Sequence, residues 1–161
     1  MEVVRTLDDD LAHFIEHDVD LENTLVLLTA DHGNHMGPYP VFTQMGKLEL
    51  ALPALFVLAP QRLLRCHPSI RAALERNQQR LTTPLDVYFA LRSLEALPEF
   101  GAGGGGGSGG ASCGAGGAHT APFSADAGIF GPIAPNRTCA EAHIDGAICS
   151  CGRIPSTCGG C

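Results

Sequence analysis

An aspartate and a histidine stand side by side directly after an apolar run, and they are the strongest candidates for chemistry. The run Thr24–Ala30 is typical of a buried, parallel-type strand, and Asp31, His32 and Gly33 follow it at once. Ligands of open α/β sheets bind at the edge where strands end. A carboxylate oxygen beside an imidazole nitrogen suits zinc, manganese or a related divalent ion. The alternative is a plain turn, with Asp31 capping the backbone and Gly33 at positive φ.

The elements predicted around this pair follow an α/β order. Apolar residues at helical spacing predict an amphipathic helix over residues 3–18. Prolines enclose a second strand, Pro53–Pro60, and helices are predicted over Pro68–Asn77 and from Thr83 to near Pro98. Residues 31–47 lack periodicity and predict a long loop, and long loops in compact domains are often functional.

Composition divides the 161 residues into three parts. Residues 1–99 hold almost all of the large apolar side chains and are predicted to form the folded domain. Residues 100–120 are a Gly-rich flexible linker. Residues 121–161 form a Cys-rich tail that has too little hydrophobic periodicity to build a core alone. The main domain, disulfides or a metal must therefore hold this tail.

Charge and hydropathy exclude some classes of partner. The net charge of −7 argues against a nucleic-acid or anionic-lipid surface, which needs a basic patch. No apolar run approaches the roughly 18–20 residues of a membrane span. The first residues show neither a basic leader nor a signal-type apolar block. The oligomeric state is left open by these features.

The cysteines allow two interpretations. Six of the seven follow residue 100, and four of these, Cys149, Cys151, Cys158 and Cys161, fall at the end of the chain. They suit either disulfides in an oxidising compartment or a four-cysteine zinc site. Asn136-Arg137-Thr138 is an N-glycosylation sequon, a short pattern that often arises by chance.

Four blocks of sequence, in the same order, carry a resemblance to a known family. The blocks are Thr24–Gly37, Gly46–Glu49 with Pro53 and Pro60, Leu81–Tyr88, and Asn136–Ile144 with Cys149-Ser150-Cys151. Together they resemble the alkaline phosphatase and sulfatase superfamily, and within it a sulfatase-like subgroup long labelled a domain of unknown function. The resemblance implies the C-terminal portion of an alkaline phosphatase-like three-layer α/β fold. That portion is a parallel-sheet core with helices, followed by the Gly-rich linker and the Cys-rich irregular tail.

The resemblance also implies roles for particular residues. It makes Asp31 and His32 metal ligands, for calcium, zinc or manganese, in a site that acts on a small sulfate or phosphate ester. Lys47 becomes a candidate anion-binding group, since a cation offsets the charge on a transferring group; the alternative is a solvated loop lysine. His35 becomes a weaker candidate ligand or acid, with an exposed loop histidine as the alternative.

The resemblance has one large gap. Family members carry a nucleophile and further acidic metal ligands in an N-terminal half that has no counterpart in this sequence. The expectation is therefore a C-terminal fragment of a metal-dependent sulfuric or phosphoric ester hydrolase, inactive alone and derived from an extracytoplasmic parent. The alternatives are a non-catalytic pseudoenzyme or interaction fragment, and a small Cys-rich zinc-binding module.

Overall fold

The computed structural model describes residues 2–95, 97, 125–146 and 148–150, with side chains from Thr6 and, after the gap, from Ala127. Its elements are, in chain order, helix α1 (Glu2–His13), a π-helical turn (Phe14–Asp18), strand β1 (Val26–Thr29), helices α2 (Pro38–Phe42) and α3 (Gln44–Ala51), strand β2 (Leu55–Leu58), helices α4 (Gln61–Cys66), α5 (Pro68–Asn77) and α6 (Pro84–Leu94), and a 3-10 segment (Ala125–Phe130). The described part is thus a mixed α/β arrangement. The predicted linker, residues 100–120, lies outside it. Among the described helices, none has the length and apolar character that crossing a bilayer requires.

The helices and strands predicted from periodicity are confirmed. The helix over residues 3–18 is α1 continued by the π-helical turn, and the two apolar runs are β1 and β2. Proline occupies the first turn of both α5 and α6, where its missing N–H costs no hydrogen bond. The last helix ends at Leu94, slightly before the predicted Pro98.

The sheet corrects the expectation of a buried, parallel strand core. β1 and β2 pair antiparallel, with Val26 opposite Leu58 and Thr29 opposite Leu55. Leu55 and Val57 pack against the core, whereas Phe56, on the opposite face, is 58% exposed. An apolar run predicts a strand, but whether the paired strand runs parallel or antiparallel depends on the segment that connects the two strands. Here β2 returns after α2 and α3, and one face of the described sheet is left uncovered.

The predicted loop over residues 31–47 is wrong for its second half, which is helical. Pro38 begins α2, and Thr43 separates α2 from α3. The Thr43 hydroxyl donates to the Tyr39 carbonyl at 2.8 Å and accepts from the Gly46 N–H at 2.9 Å. The prolines and glycines of this segment mark helix starts and close approaches, so counting them as helix breakers misled the prediction.

The core forms where α5 and α6 meet the 3-10 segment. Its fully buried members come from both parts of the chain: Leu63, Ile70, Ala90, Leu97, Ala127, Ile129 and Phe130. Phe130 is 1% exposed, and its burial is worth about 2–3 kcal/mol. Gly128 permits this packing because a Cβ there would overlap the Asp86 carbonyl oxygen of α6. The start of the predicted tail is therefore held by the main domain.

Asn77, the last residue of α5, fastens the returning chain to the helices. Its amide nitrogen donates to the Ile129 carbonyl at 3.0 Å and to the Gly131 carbonyl at 2.8 Å. Its amide oxygen accepts from the Ile133 N–H at 3.3 Å. Asn77 is 5% exposed, so it satisfies backbone groups that have little access to water.

A buried ion pair and a disulfide hold the residues that follow. Arg137 Nη1 donates to Asp86 Oδ2 at 2.7 Å and to the Leu81 carbonyl at 3.2 Å. Cys139 and Cys149 form a disulfide, a short ring worth about 3 kcal/mol in the chain-entropy account. Cys149 is therefore engaged in a disulfide, and the other cysteines of the alternative zinc site, Cys151, Cys158 and Cys161, lie outside the described residues. Cys66 is also disulfide-bonded.

Replacing the buried amide tests how much the returning chain depends on it. We expect Asn77→Ala to lower the free energy of unfolding by about 2–3 kcal/mol, because two buried carbonyls lose their donor. Chemical denaturation with the disulfides intact measures this change. Asn23→Ala, at an exposed turn, is the control and changes stability little. A loss for Asn77→Ala no larger than for the control would contradict the assigned role.

Candidate metal centre

Asp31 and His32 leave the sheet at the end of β1, as predicted. The Ala30 N–H still donates to the Ala54 carbonyl at 3.1 Å, so the ladder with the β2 side continues to the residue before the pair. The side chains of Asp31 and His32 are 86% and 46% exposed. The strand thus presents both groups to solvent at its end, where a ligand can reach them.

Local hydrogen bonds orient the histidine ring. The His32 Nδ1 atom lies 2.8 Å from the Gly33 carbonyl oxygen. A carbonyl oxygen only accepts, so Nδ1 carries the proton in this bond and the neutral ring keeps its lone pair on Nε2. Nε2 in turn lies 3.4 Å from Asp31 Oδ2. Metal-binding histidines are typically held in this way, with the other ring N–H donating to a carbonyl or carboxylate.

The spacing of these two atoms suits a shared cation. Two ligand atoms that each lie about 2.0–2.1 Å from a tetrahedral ion are about 3.4 Å apart. The Nε2 to Oδ2 distance in the structure is 3.4 Å. One imidazole nitrogen and one carboxylate oxygen are also ligand types that zinc and manganese accept. Asp31 and His32 therefore fit as two members of a metal site.

The Asp31 carboxyl is set up to be ionised. The His32 backbone N–H, which donates to Asp31 Oδ1 at 2.9 Å, is the main cause that lowers the pKa of Asp31 below its ordinary value. When protonated, the His32 ring adds its positive charge to the lowering of the Asp31 pKa, and the His35 ring contributes least. A lowered pKa keeps the carboxylate available as a ligand further into the acid range.

Gly33 is needed for close packing rather than for a special backbone angle. Its N–H donates to the Leu50 carbonyl at 3.2 Å, and a Cβ on it would overlap the Glu49 carbonyl oxygen. The glycines with positive φ in the described chain are Gly37 and Gly128, so the positive φ that the turn alternative expected at Gly33 is absent. The contact seats the segment after β1 against the C-terminal half of α3.

His35 and Lys47 occupy different surroundings. The His35 ring meets the His32 ring edge to face, with centroids 4.8 Å apart, so His35 is adjacent to the candidate pair. Lys47 lies on α3, where its side chain is exposed, and not on a loop. Within the described residues, no group of three or more His, Cys, Asp or Glu side chains is placed to hold a metal. The described residues therefore do not bring together a complete set of metal ligands.

A shallow polar cleft beside α6 is a second feature, and the sequence patterns did not predict it. Asp86, Asn136, Arg137 and Glu141 line a shallow cleft together with residues 132–134. The Asp86 carboxylate also accepts from the Thr83 N–H at 2.8 Å and the Thr83 hydroxyl at 3.0 Å, which closes the start of α6. Thr83 followed three residues later by Asp86 is a capping signal that predicts this contact. The contact of Asp86 with Arg137 is not predicted by any local pattern, because the two residues are 51 positions apart.

The match to a family covers nearly the whole chain. The model of "Protein of unknown function (DUF229)" matches residues 1–156. The chain belongs to this DUF229 family. DUF229 is a sulfatase-like family, which accords with the sequence resemblance at the coarser level. No curated protein and no solved structure matches the chain.

The origin of the Asp31 pKa can be tested by removing the neighbouring ring. In His32→Ala the backbone N–H of residue 32 remains, so we expect the pKa of Asp31 to rise only part of the way to its ordinary value. NMR titration of the Asp31 side-chain carbon in both proteins measures this shift. A complete return to the ordinary value would show that the ring charge, and not the backbone hydrogen bond, dominates.

Proposed function

We propose that this DUF229 chain supplies two metal ligands, Asp31 and His32, to a metal-dependent hydrolase of sulfuric or phosphoric esters. The observation that carries the proposal is the orientation of His32. Its Nδ1–H is committed to the Gly33 carbonyl at 2.8 Å, while Nε2 lies 3.4 Å from a carboxylate oxygen. The sulfatase-like character of the family gives the reaction class.

The donor set narrows the choice of metal. Calcium prefers sites made of oxygen ligands, whereas zinc and manganese accept imidazole nitrogen beside carboxylate oxygen. We therefore favour zinc or manganese over calcium at Asp31 and His32. A bound divalent ion supplies Lewis-acid stabilisation of the negative charge on the sulfuryl or phosphoryl group.

The residues of this chain would hold and orient the charged groups. Asp31 binds through an ionised carboxylate, kept ionised by the His32 N–H. Gly33 seats the segment on α3, which limits its movement when a ligand binds. Lys47 on α3 is a candidate to attract the anionic substrate, and His35, beside the His32 ring, is a candidate third ligand or acid. The remaining ligands and the nucleophile would come from outside the described residues, and we place the enzyme outside the cytoplasm.

Metal binding at this pair is measurable in the isolated chain. We expect added Mn²⁺ to broaden the His32 ring resonances in NMR spectra. Asp31→Asn should weaken the affinity for Mn²⁺ about tenfold or more, because the loss of even an outer-shell partner of a metal ligand lowers metal affinity by about that factor. A calorimetric titration with zinc measures the affinity of the chain for Zn²⁺.

The chain contains a matched control for this experiment. His13 is an exposed histidine whose Nδ1 lies 3.9 Å from Asp18 Oδ2, on a different element. Asp18→Asn removes a similar carboxylate and should leave the broadening at His32 unchanged. If Asp31→Asn and Asp18→Asn behave alike, the pair has no special affinity for metal and the proposal fails.

Turnover is not expected from this chain by itself. With zinc or manganese present, we expect no hydrolysis of aryl sulfates or aryl phosphates, because the described residues provide only part of a metal site. Release of the coloured phenol in a spectrophotometric assay is the measurement. Turnover that Asp31→Asn abolishes would show that the chain holds a complete site.

The open face of the sheet favours a second candidate function, a non-catalytic interaction fragment. Leu28 and Phe56 are register partners on this face, and both are exposed. Apolar faces of this kind mark contact surfaces. The metal titration separates the two candidates, since an interaction fragment has no reason to bind metal at Asp31 and His32 in preference to His13 and Asp18.

A further inference from the structure

We propose that Asn136 carries an N-linked glycan. Asn136-Arg137-Thr138 is the chain's one Asn-x-Ser/Thr pattern, and the middle residue is not proline. The pattern alone is weak, because it is short. Three observations on the folded chain support the assignment: the position of Asn136 on a turn, the direction of its neighbours, and the disulfide beside it.

Asn136 stands at the corner of a tight turn. The Arg137 N–H donates to the Ala134 carbonyl at 3.3 Å, which closes a four-residue turn with Pro135 and Asn136 at its centre. Asn136 is exposed in this position. Because Asn136 is exposed and is not among the core residues, a bulky polar group is accommodated there without displacing the core.

The neighbouring side chains bind in the other direction and fix the turn. Arg137 reaches inward to the Asp86 carboxylate at 2.7 Å and to the Leu81 carbonyl at 3.2 Å. The Thr138 hydroxyl and N–H both donate to Glu141 Oε2, at 2.9 and 2.8 Å. The sequon is thus split in the folded chain, with its asparagine in solvent and its other two residues engaged in structural contacts.

The disulfides place the chain in a compartment where this modification occurs. Cys139, three residues after Asn136, is bonded to Cys149, and Cys66 is disulfide-bonded as well. Disulfides of this kind form in oxidising environments such as the lumen of the endoplasmic reticulum. The same lumen contains the machinery that glycosylates Asn-x-Ser/Thr sequences.

The reaction requires a lipid diphosphate-linked oligosaccharide as the second substrate. A bond forms between Asn136 Nδ2 and the anomeric carbon of the sugar, and the bond between that carbon and the lipid diphosphate breaks. The amide loses a proton to a base of the transferase, and the lipid diphosphate is the leaving group. Because Thr138 is bonded to Glu141 in the folded chain, the transfer precedes the formation of this turn.

The glycan would stand beside the cleft of the Asp86–Arg137 ion pair. Asn136 lines this cleft together with Asp86, Arg137 and Glu141. A sugar at its rim keeps macromolecules away from the buried ion pair, while water and small ions still enter. Partners of the chain would consequently dock elsewhere on its surface.

The test uses the full chain, directed by a cleavable leader into microsomes during translation. Chains that reach the lumen are identified by their resistance to added protease. We expect these chains to migrate more slowly on a denaturing gel, and digestion with peptide:N-glycosidase to reverse the shift. Asn136→Gln and Thr138→Ala abolish the shift, whereas Thr138→Ser, which keeps a hydroxyl, retains it.

A control variant shows whether the gel shift depends on the sequon, and the transfer of the sugar before folding makes the result independent of stability. Asn34→Gln removes an exposed asparagine that is not part of a sequon and should keep the shift. Since the sugar is added before folding is complete, a variant that folds poorly still reports on its acceptor site. Protease-resistant wild-type chains that migrate like Asn136→Gln overturn the proposal.

Discussion

The described structure depends on the return of the chain to α5 and α6 after residue 124. Ile129 and Phe130 join the core formed with these helices, and the buried Asn77 amide donates to the Ile129 and Gly131 carbonyls on either side of Phe130. Without the returning segment, α5 and α6 would expose the faces that form the core. The hydrophobic contribution and the hydrogen bonds therefore act together, because Asn77 satisfies the carbonyls that the burial of Phe130 takes away from water.

A buried ion pair extends this attachment. Removing either partner of the Asp86–Arg137 pair would leave a charge with little access to solvent, and such losses are usually more costly than the net value of the intact pair. Asp86 also closes the start of α6 through Thr83. One carboxylate thus links a helix start, the segment before it and the turn that carries Asn136. The Cys139–Cys149 disulfide then closes the next part of the chain on itself.

The candidate metal centre is organised differently, by bonds between near neighbours. The His32 N–H, the His32 ring and the Gly33 carbonyl position the Asp31 and His32 side chains within three residues. Long-range constraints come from the approach of Gly33 to α3 and from the Ala30 N–H bond to the Ala54 carbonyl. Both side chains are exposed, so a soluble ion can reach them. The structure thus combines a packed core around α5 and α6 with an exposed Asp31–His32 pair at the end of β1.

Local patterns in the sequence determined several of the elements, though not α2, α3 or α4, and they determined the candidate pair. Helical spacing in α1, the apolar runs of β1 and β2, prolines at helix starts, and the Asp31-His32-Gly33 motif all express preferences within a few residues. The Thr83 and Asp86 spacing likewise predicts the capped start of α6. Tertiary structure alone decided the antiparallel pairing of β1 with β2, the close packing that requires Gly33, and the partner of Asp86. These features join residues far apart in the chain, as Asp86 and Arg137 are. A residue's own neighbours specify its backbone preference, but which distant group meets it depends on how the whole chain packs.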